Sequence, residues 1–217
     1  MSNVPKVDVV ICLPGNYFSR KFLNSWSNSL VWLSENNYSY IYRFGYSPII
    51  SDLRNYLLKT SPLNDSNNET EPFMLFENKL ICNKIVFIDS DMVWDVKDFE
   101  KLITTDKDFL SGAYLMTEQN NVSVSINRSF LSVSEFNQHK TLFEINHSGL
   151  GFASCNFTAL ENIPFPWFMS NIGIDLNIIG EDVYFCELLT NAGYKLFCDP
   201  TIKLGHEKSL VRIINDV

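Results

Sequence analysis

Asp89, Ser90 and Asp91 follow directly on the apolar run Lys84 to Ile88 (K-I-V-F-I). Two carboxylates two residues apart, just past a buried strand, can converge on one hard divalent cation while the strand stays in the core. The same residues can also simply cap the turn into a following helix. A second acidic group, Gly180-Glu181-Asp182, precedes an aromatic helical stretch with Tyr184 and Phe185. One carboxylate there can act as general base on an acceptor hydroxyl while its neighbour holds the acceptor. Acid at a helix start also complements the helix dipole, so capping is the competing role. His206, in Leu204-Gly205-His206, follows a strand and a glycine. Its imidazole suits a metal that already has one or two carboxylates, or else a hydrogen bond to a backbone carbonyl. Arg54 can reach a donor phosphate and Asn55 a pyrimidine edge or ribose, unless both lie on a solvated helix face. Pro164 to Phe168 (P-F-P-W-F) is an aromatic turn. The face of Trp167 suits stacking on a sugar ring, and the alternative is a plug over the core. His139 and His147 lie in a polar stretch and are expected at the surface.

These groups need a frame, and the periodicity supplies one. Val7 to Leu13 reads as a buried parallel strand stopped by Pro14-Gly15-Asn16. Ser19 caps an expected helix over Arg20 to Ser34, with Phe22, Leu23, Trp26, Leu30 and Leu33 at helical spacing. A strand over Tyr38 to Phe44 and a helix over Ile49 to Lys59 follow. Ser61 to Pro72 is Asn-rich and polar, a surface loop. After the acidic pair come a helix over Val96 to Thr104 and a strand over Phe109 to Ala113. Alternation from Val122 to Asn146 predicts antiparallel strands added to the main sheet. Gly149 to Ser154 is a short apolar segment, and Gly180 to Asn191 is a helix closed by Ala192-Gly193. Lys195 to Cys198 and Thr201 to Leu204 are two final strand candidates. The order predicts one α/β domain over residues 1–217, with a doubly wound, mostly parallel sheet and ligands at the carboxyl ends of its strands.

Composition narrows the function. The 217 residues are 46% hydrophobic, enough for one core, and the net charge of −8 excludes broad binding to nucleic acid. An acidic chain that binds a phosphate ligand needs a metal ion or a local basic residue. Five cysteines without paired spacing are expected to be buried free thiols. Met1 to Val10 shows no leader pattern and no run is long enough to span a bilayer, so a cytoplasmic protein is expected.

Taken together, the motifs resemble those of the GT-A glycosyltransferases, in particular the family-2-like branch. Ser51-Asp52-Leu53-Arg54-Asn55 is similar to that family's A-R-N helix, Ile85 to Asp91 to its D-x-D strand, and Ser111-Gly112-Ala113-Tyr114 to the short G-x-Y strand. Gly149-Leu150-Gly151-Phe152 and Pro166-Trp167-Phe168 resemble its glycine-rich strand and P-W-F turn. Gly180-Glu181-Asp182, Ala192-Gly193-Tyr194 and Leu204-Gly205-His206 resemble its closing run. The resemblance implies a Rossmann-like GT-A fold with a nucleotide-sugar half over 1–115 and an acceptor half over 116–217. It implies a donor site at Pro14, Arg54, Asn55, Asp89, Ser90 and Asp91, and Mn²⁺ or Mg²⁺ held by Asp91 and His206, with Asp89 at its water shell. Asp182 or Glu181 would be the base, with Glu181 and Trp167 facing the acceptor. The partners would be a nucleotide-sugar donor and an acceptor whose identity is open, glycan, lipid or protein. Glu118 to His147 is least like the family and is the expected region of acceptor choice. Two rivals remain at this level: a phosphatase of the haloacid-dehalogenase type, with Asp89 as nucleophile, and a non-catalytic nucleotide- or sugar-binding module of the same fold.

Overall fold

A computed structural model describes residues 4–60, 74–116, 120–172 and 178–207. The expected loop from Ser61 to Pro72 therefore lies outside the described residues, as does Glu118. The first half runs β1 (Lys6–Pro14), α1 (Arg20–Glu35), β2 (Tyr40–Gly45), α2 (Ile50–Lys59), β3 (Ile81–Ile88), β4 (Met92–Val93), α3 (Val96–Thr104) and β5 (Phe109–Ala113). The second runs β6 (Asn121–Ile126), β7 (Ser129–Ser132), α4 (Val133–Phe136), β8 (Phe143–Ile145), β9 (His147–Ser148), β10 (Phe152–Asn156) and α5 (Phe157–Glu161). It closes with β11 (Asn171–Ile172), β12 (Ile178–Ile179), α6 (Glu181–Asn191), β13 (Leu196–Lys203) and β14 (Gly205–His206).

Seven strands form the main sheet in the order β2-β1-β3-β10-β5-β13-β8. The neighbours β2, β1 and β3 are parallel, as are β5 and β13, while β10 and β8 run antiparallel. The expected doubly wound, mostly parallel sheet is what the chain forms. Its strands are apolar on both faces because both are covered. Val10, Cys12, Ile85 and Phe87 pack with Leu53 and Leu57 of α2 and Phe185 of α6 on one side. Val9, Ile11, Val86 and Ile88 pack with Phe22 of α1 and Phe99 of α3 on the other. The five cysteines are all buried and free, and burial raises each thiol's pKa, so none is a poised nucleophile. Among the described residues no helix is long and apolar enough to cross a membrane.

Several expectations need correcting. Ser19 does cap α1, accepting from the amides of Lys21 and Phe22, but the buried face is Phe22, Ser25, Ser29 and Leu33, and Leu23 is exposed. The two serines are there for Trp94: Ser25 Oγ donates to its carbonyl at 2.7 Å, and its indole N–H donates to Ser29 Oγ at 2.8 Å. A polar pair spaced i, i+4 is invisible to a hydrophobic-periodicity reading. Of the expected antiparallel additions, β8 joins the main sheet, but β6 pairs with β7 and β9 in a separate three-stranded sheet. The last two strand candidates are one strand, β13, with a register shift between Cys198 and Lys203.

His147 is not a surface residue; it is buried on β9. Its Nδ1 lies 3.1 Å from Ser125 Oγ, and its Nε2 is 3.8 Å from Glu187 of α6, which also meets Arg128. Burial lowers its pKa below 6.5, with Glu187 pulling the other way and Arg128 adding to the drop. Above that value both folded and unfolded chains carry it neutral. Below it the unfolded chain takes up a proton that the folded site resists, so stability is lost as pH falls. The melting temperature is therefore expected to drop between about pH 7.5 and about pH 5.5, and His147→Gln to drop less. Equal pH slopes for the two proteins would refute this.

Candidate active site

At the carboxyl end of β1 the ladder ends on Pro14, which is buried. The chain then turns through Gly15, at φ +148°, whose amide donates to Gly45 O at 2.8 Å. A side chain at Gly15 would put its Cβ 2.4 Å from Ser90 Cβ, so this glycine is what lets the first loop lie against the D-x-D turn. Asp89 and Asp91 sit at the end of β3, the Asp89 amide donating to Gly151 O at 3.0 Å. The buried strand thus delivers its two carboxylates to the rim where β1, β3 and β10 meet.

Arg54 is 3% exposed, on the buried side of α2, rather than on a solvated face. One terminal nitrogen donates to Asp89 Oδ1 at 2.8 Å and the other to Glu181 Oε1. Its Nε is buried without a partner among the described residues, so the guanidinium is held by those two contacts. Burial opposes its charge, but Asp89 and then Glu181 outweigh that and raise its pKa. The arginine bridges the D-x-D turn to the start of α6. Asn55, beside it, is consumed by structure. Its Oδ1 accepts from the amides of Trp167 and Phe168, at 3.1 and 3.2 Å, and its Nδ2 donates to Phe168 O at 2.7 Å. These bonds fill both lone pairs of its Oδ1 and take one of its two Nδ2 protons, committing the carboxamide to the P-W-F turn. Trp167 is 2% exposed and sits edge-on to Phe165 in the core, so it is the plug and offers no stacking face. Phe168 stacks on Phe185 of α6 at 4.8 Å, which seats that helix.

Gly180 caps α6 with extended backbone, and a Cβ there would lie 2.7 Å from Asp182 Oδ1. Asp182 accepts from the Val183 amide at 2.8 Å and, among the described residues, has no side-chain ion pair. Burial raises its pKa against the pull of that amide and of Arg54. Glu181 is also raised by burial, with Arg54 opposing. The two neighbours therefore differ in their contacts: Glu181 is engaged by Arg54, and Asp182 is not among the described residues' ion pairs.

His206 belongs to β14, which pairs with β4, His206 opposite Met92, while the Glu207 amide donates to Asp91 O at 2.8 Å. This short ladder brings a residue 115 positions away onto the D-x-D turn. His206 Nε2 lies 3.1 Å from Asp91 Oδ2 and Nδ1 lies 2.8 Å from Leu115 O. A carbonyl only accepts, so Nδ1 carries a proton. Nε2 then either donates a second N–H to Asp91 or presents a lone pair, and in the second case two acceptors so close would suit a shared cation. Among the described residues no group of three or more His, Cys, Asp or Glu could hold a metal alone. Asp91 and His206 could contribute one carboxylate and one imidazole to a divalent ion whose other ligands would come from bound water or an anion.

Sequence reasoning gave no role to Tyr114. Its ring stands edge to face with His206, centroids 4.9 Å apart. The signal was the alternation of Gly149 and Gly151, where an added Cβ would meet Tyr114 at 2.2 and 2.9 Å.

No protein-family model and no curated protein matches the sequence. Solved structures do match in fold. A197 from STIV is 20% identical, with TM-score 0.56 over 93% of this chain and 86% of that one. A Drosophila β1,4-galactosyltransferase 7 mutant in complex with manganese, UDP-Gal and xylobiose is 11% identical, with TM-score 0.51 over 95% of this chain and 72% of that one. GalNAc-T7 with UDP, GalNAc and Mn²⁺ is 11% identical, with TM-score 0.51 over 94% of this chain but 44% of its own length. The chain thus shares its mixed α/β fold with glycosyltransferases that use nucleotide sugars.

Proposed function

We propose that this chain is a metal-dependent glycosyltransferase that moves a sugar from a nucleoside-diphosphate sugar to an acceptor hydroxyl. The observation that carries the reading is the Asp91–His206 pair, 3.1 Å apart on the same rim as Asp182 and the Arg54–Asp89–Glu181 bridge. Two glycosyltransferases of this fold, crystallised with Mn²⁺ and a uridine nucleotide, support it. Asp91 and His206 would hold Mn²⁺ or Mg²⁺ together with the donor diphosphate. The ion supplies charge neutralisation to the departing nucleoside diphosphate, which a chain of net charge −8 does not provide by itself. Arg54 fixes Asp89 toward the donor and Glu181 toward the acceptor side. Asp182, half-buried and with a raised pKa, takes the acceptor proton as the hydroxyl attacks the anomeric carbon.

The test is donor hydrolysis, in which water replaces the missing acceptor. The chain is incubated with Mn²⁺ and separate UDP-, GDP- and dTDP-sugars, and free nucleoside diphosphate is quantified. Release from one donor class, abolished by chelator, is expected. Chelator-insensitive release, or none from any donor, would count against the assignment.

A further inference from the structure

We infer that Tyr114 is a positioning residue that seats the His206 imidazole against Asp91, an inference that rests on the metal reading above. Two contacts define the seat. The ring of Tyr114 meets that of His206 at 4.9 Å and 63°. The next carbonyl along the chain, Leu115 O, accepts from His206 Nδ1 at 2.8 Å. Tyr114 thus confines the plane of the ring while its neighbour fixes the ring's rotation. Together they aim Nε2 at Asp91.

Tyr114 is itself wedged. Its amide donates to Ser123 Oγ at 3.2 Å, and its carbonyl accepts from the Ser123 amide at 2.9 Å. Behind it, Gly149 and Gly151 are the only residue type that leaves room: a Cβ at Gly149 would stand 2.2 Å from Tyr114 Oη, and one at Gly151 2.9 Å from Cε1. Gly151 O also accepts from the Asp89 amide, so the wall behind Tyr114 is the turn leading into β10 that also meets the D-x-D turn. The phenol of Tyr114 packs against that wall. What it contributes is a rigid neutral face. Outer contacts of this kind orient a metal-binding histidine, and their loss typically weakens metal affinity about 10- to 100-fold.

Mn²⁺ binding tests this by electron paramagnetic resonance, which counts free ion directly, with and without UDP. Tyr114→Leu is expected to weaken Mn²⁺ about 10-fold or more. Tyr114→Phe, which keeps the ring, should restore the wild-type value. In a His206→Ala background Tyr114→Leu should change nothing, because the tyrosine acts through the imidazole. Gly151→Ala, which crowds the ring from behind, supplies a second route to the same loss if Tyr114→Leu does not fold. Wild-type affinity in Tyr114→Leu, or an equal further loss on His206→Ala, would overturn the role and leave the transferase reading intact. Absence of any Mn²⁺ binding to wild type, with UDP or without, would overturn both.

Discussion

Asp182→Asn is expected to slow sugar transfer by about 100- to 10,000-fold while leaving Mn²⁺-dependent nucleotide binding unchanged. The expectation follows from how the two adjacent carboxylates are engaged. Glu181 meets Arg54, so its negative charge is committed to an ion pair. Asp182 accepts from the Val183 amide at 2.8 Å, has no side-chain ion pair among the described residues, and burial has moved its pKa upward. A base must be ionised and must also want the proton, and a raised carboxylate meets the second condition better than an ordinary one. The rate should accordingly fall as pH drops through that raised value, and the fall should vanish from the residual rate of Asp182→Asn. Single-turnover transfer across pH checks both. A variant that binds donor and transfers at the wild-type rate would remove Asp182 from the chemistry.

Arg54→Met has the other large effect, on stability. It leaves Asp89 and Glu181 facing each other across the site without the cation between them, side chains 28% and 14% exposed. Breaking one partner of a buried ion pair costs about 3 kcal/mol or more, since the remaining charge keeps its desolvation penalty. Chemical denaturation measures the loss. Restoring neutrality with Asp89→Asn and Glu181→Gln on the same background should recover part of it, which distinguishes stranded charge from lost packing. A drop below about 1 kcal/mol in Arg54→Met would show that solvent screens the bridge.

The frame was legible because the two central parallel strands carry apolar runs that end in a polar or acidic break. Val7 to Leu13 and Lys84 to Ile88 both become central strands, and α3 and β5 occupy the predicted residues. What periodicity could not show are positions where polar or small residues do packing work. Ser25 and Ser29 are buried for the indole of Trp94, and His147 is buried against Ser125 and α6. The site divides the same way. Asp89, Asp91, Glu181, Asp182 and His206 were singled out by residue type, and the fold pairs Asp91 with His206 and links Asp89 to Glu181 through Arg54. Their partners were not, because Arg54 and Glu181 are 127 residues apart and nothing local ties them. Asn55 and Trp167 carried the right chemistry for a ligand and are spent on each other's turn. A side chain's type states what it can bond, and only the fold states what it already has.

The most direct measurement is calorimetric titration of UDP, GDP and dTDP into the chain with saturating Mn²⁺, repeated on Asp91→Ala. One nucleoside diphosphate should bind wild type only when Mn²⁺ is present, and Asp91→Ala should bind it no better than wild type does without metal. Binding that is indifferent to Mn²⁺, or that survives Asp91→Ala undiminished, would contradict the assignment of Asp91 and His206 as the seat of a metal-held donor.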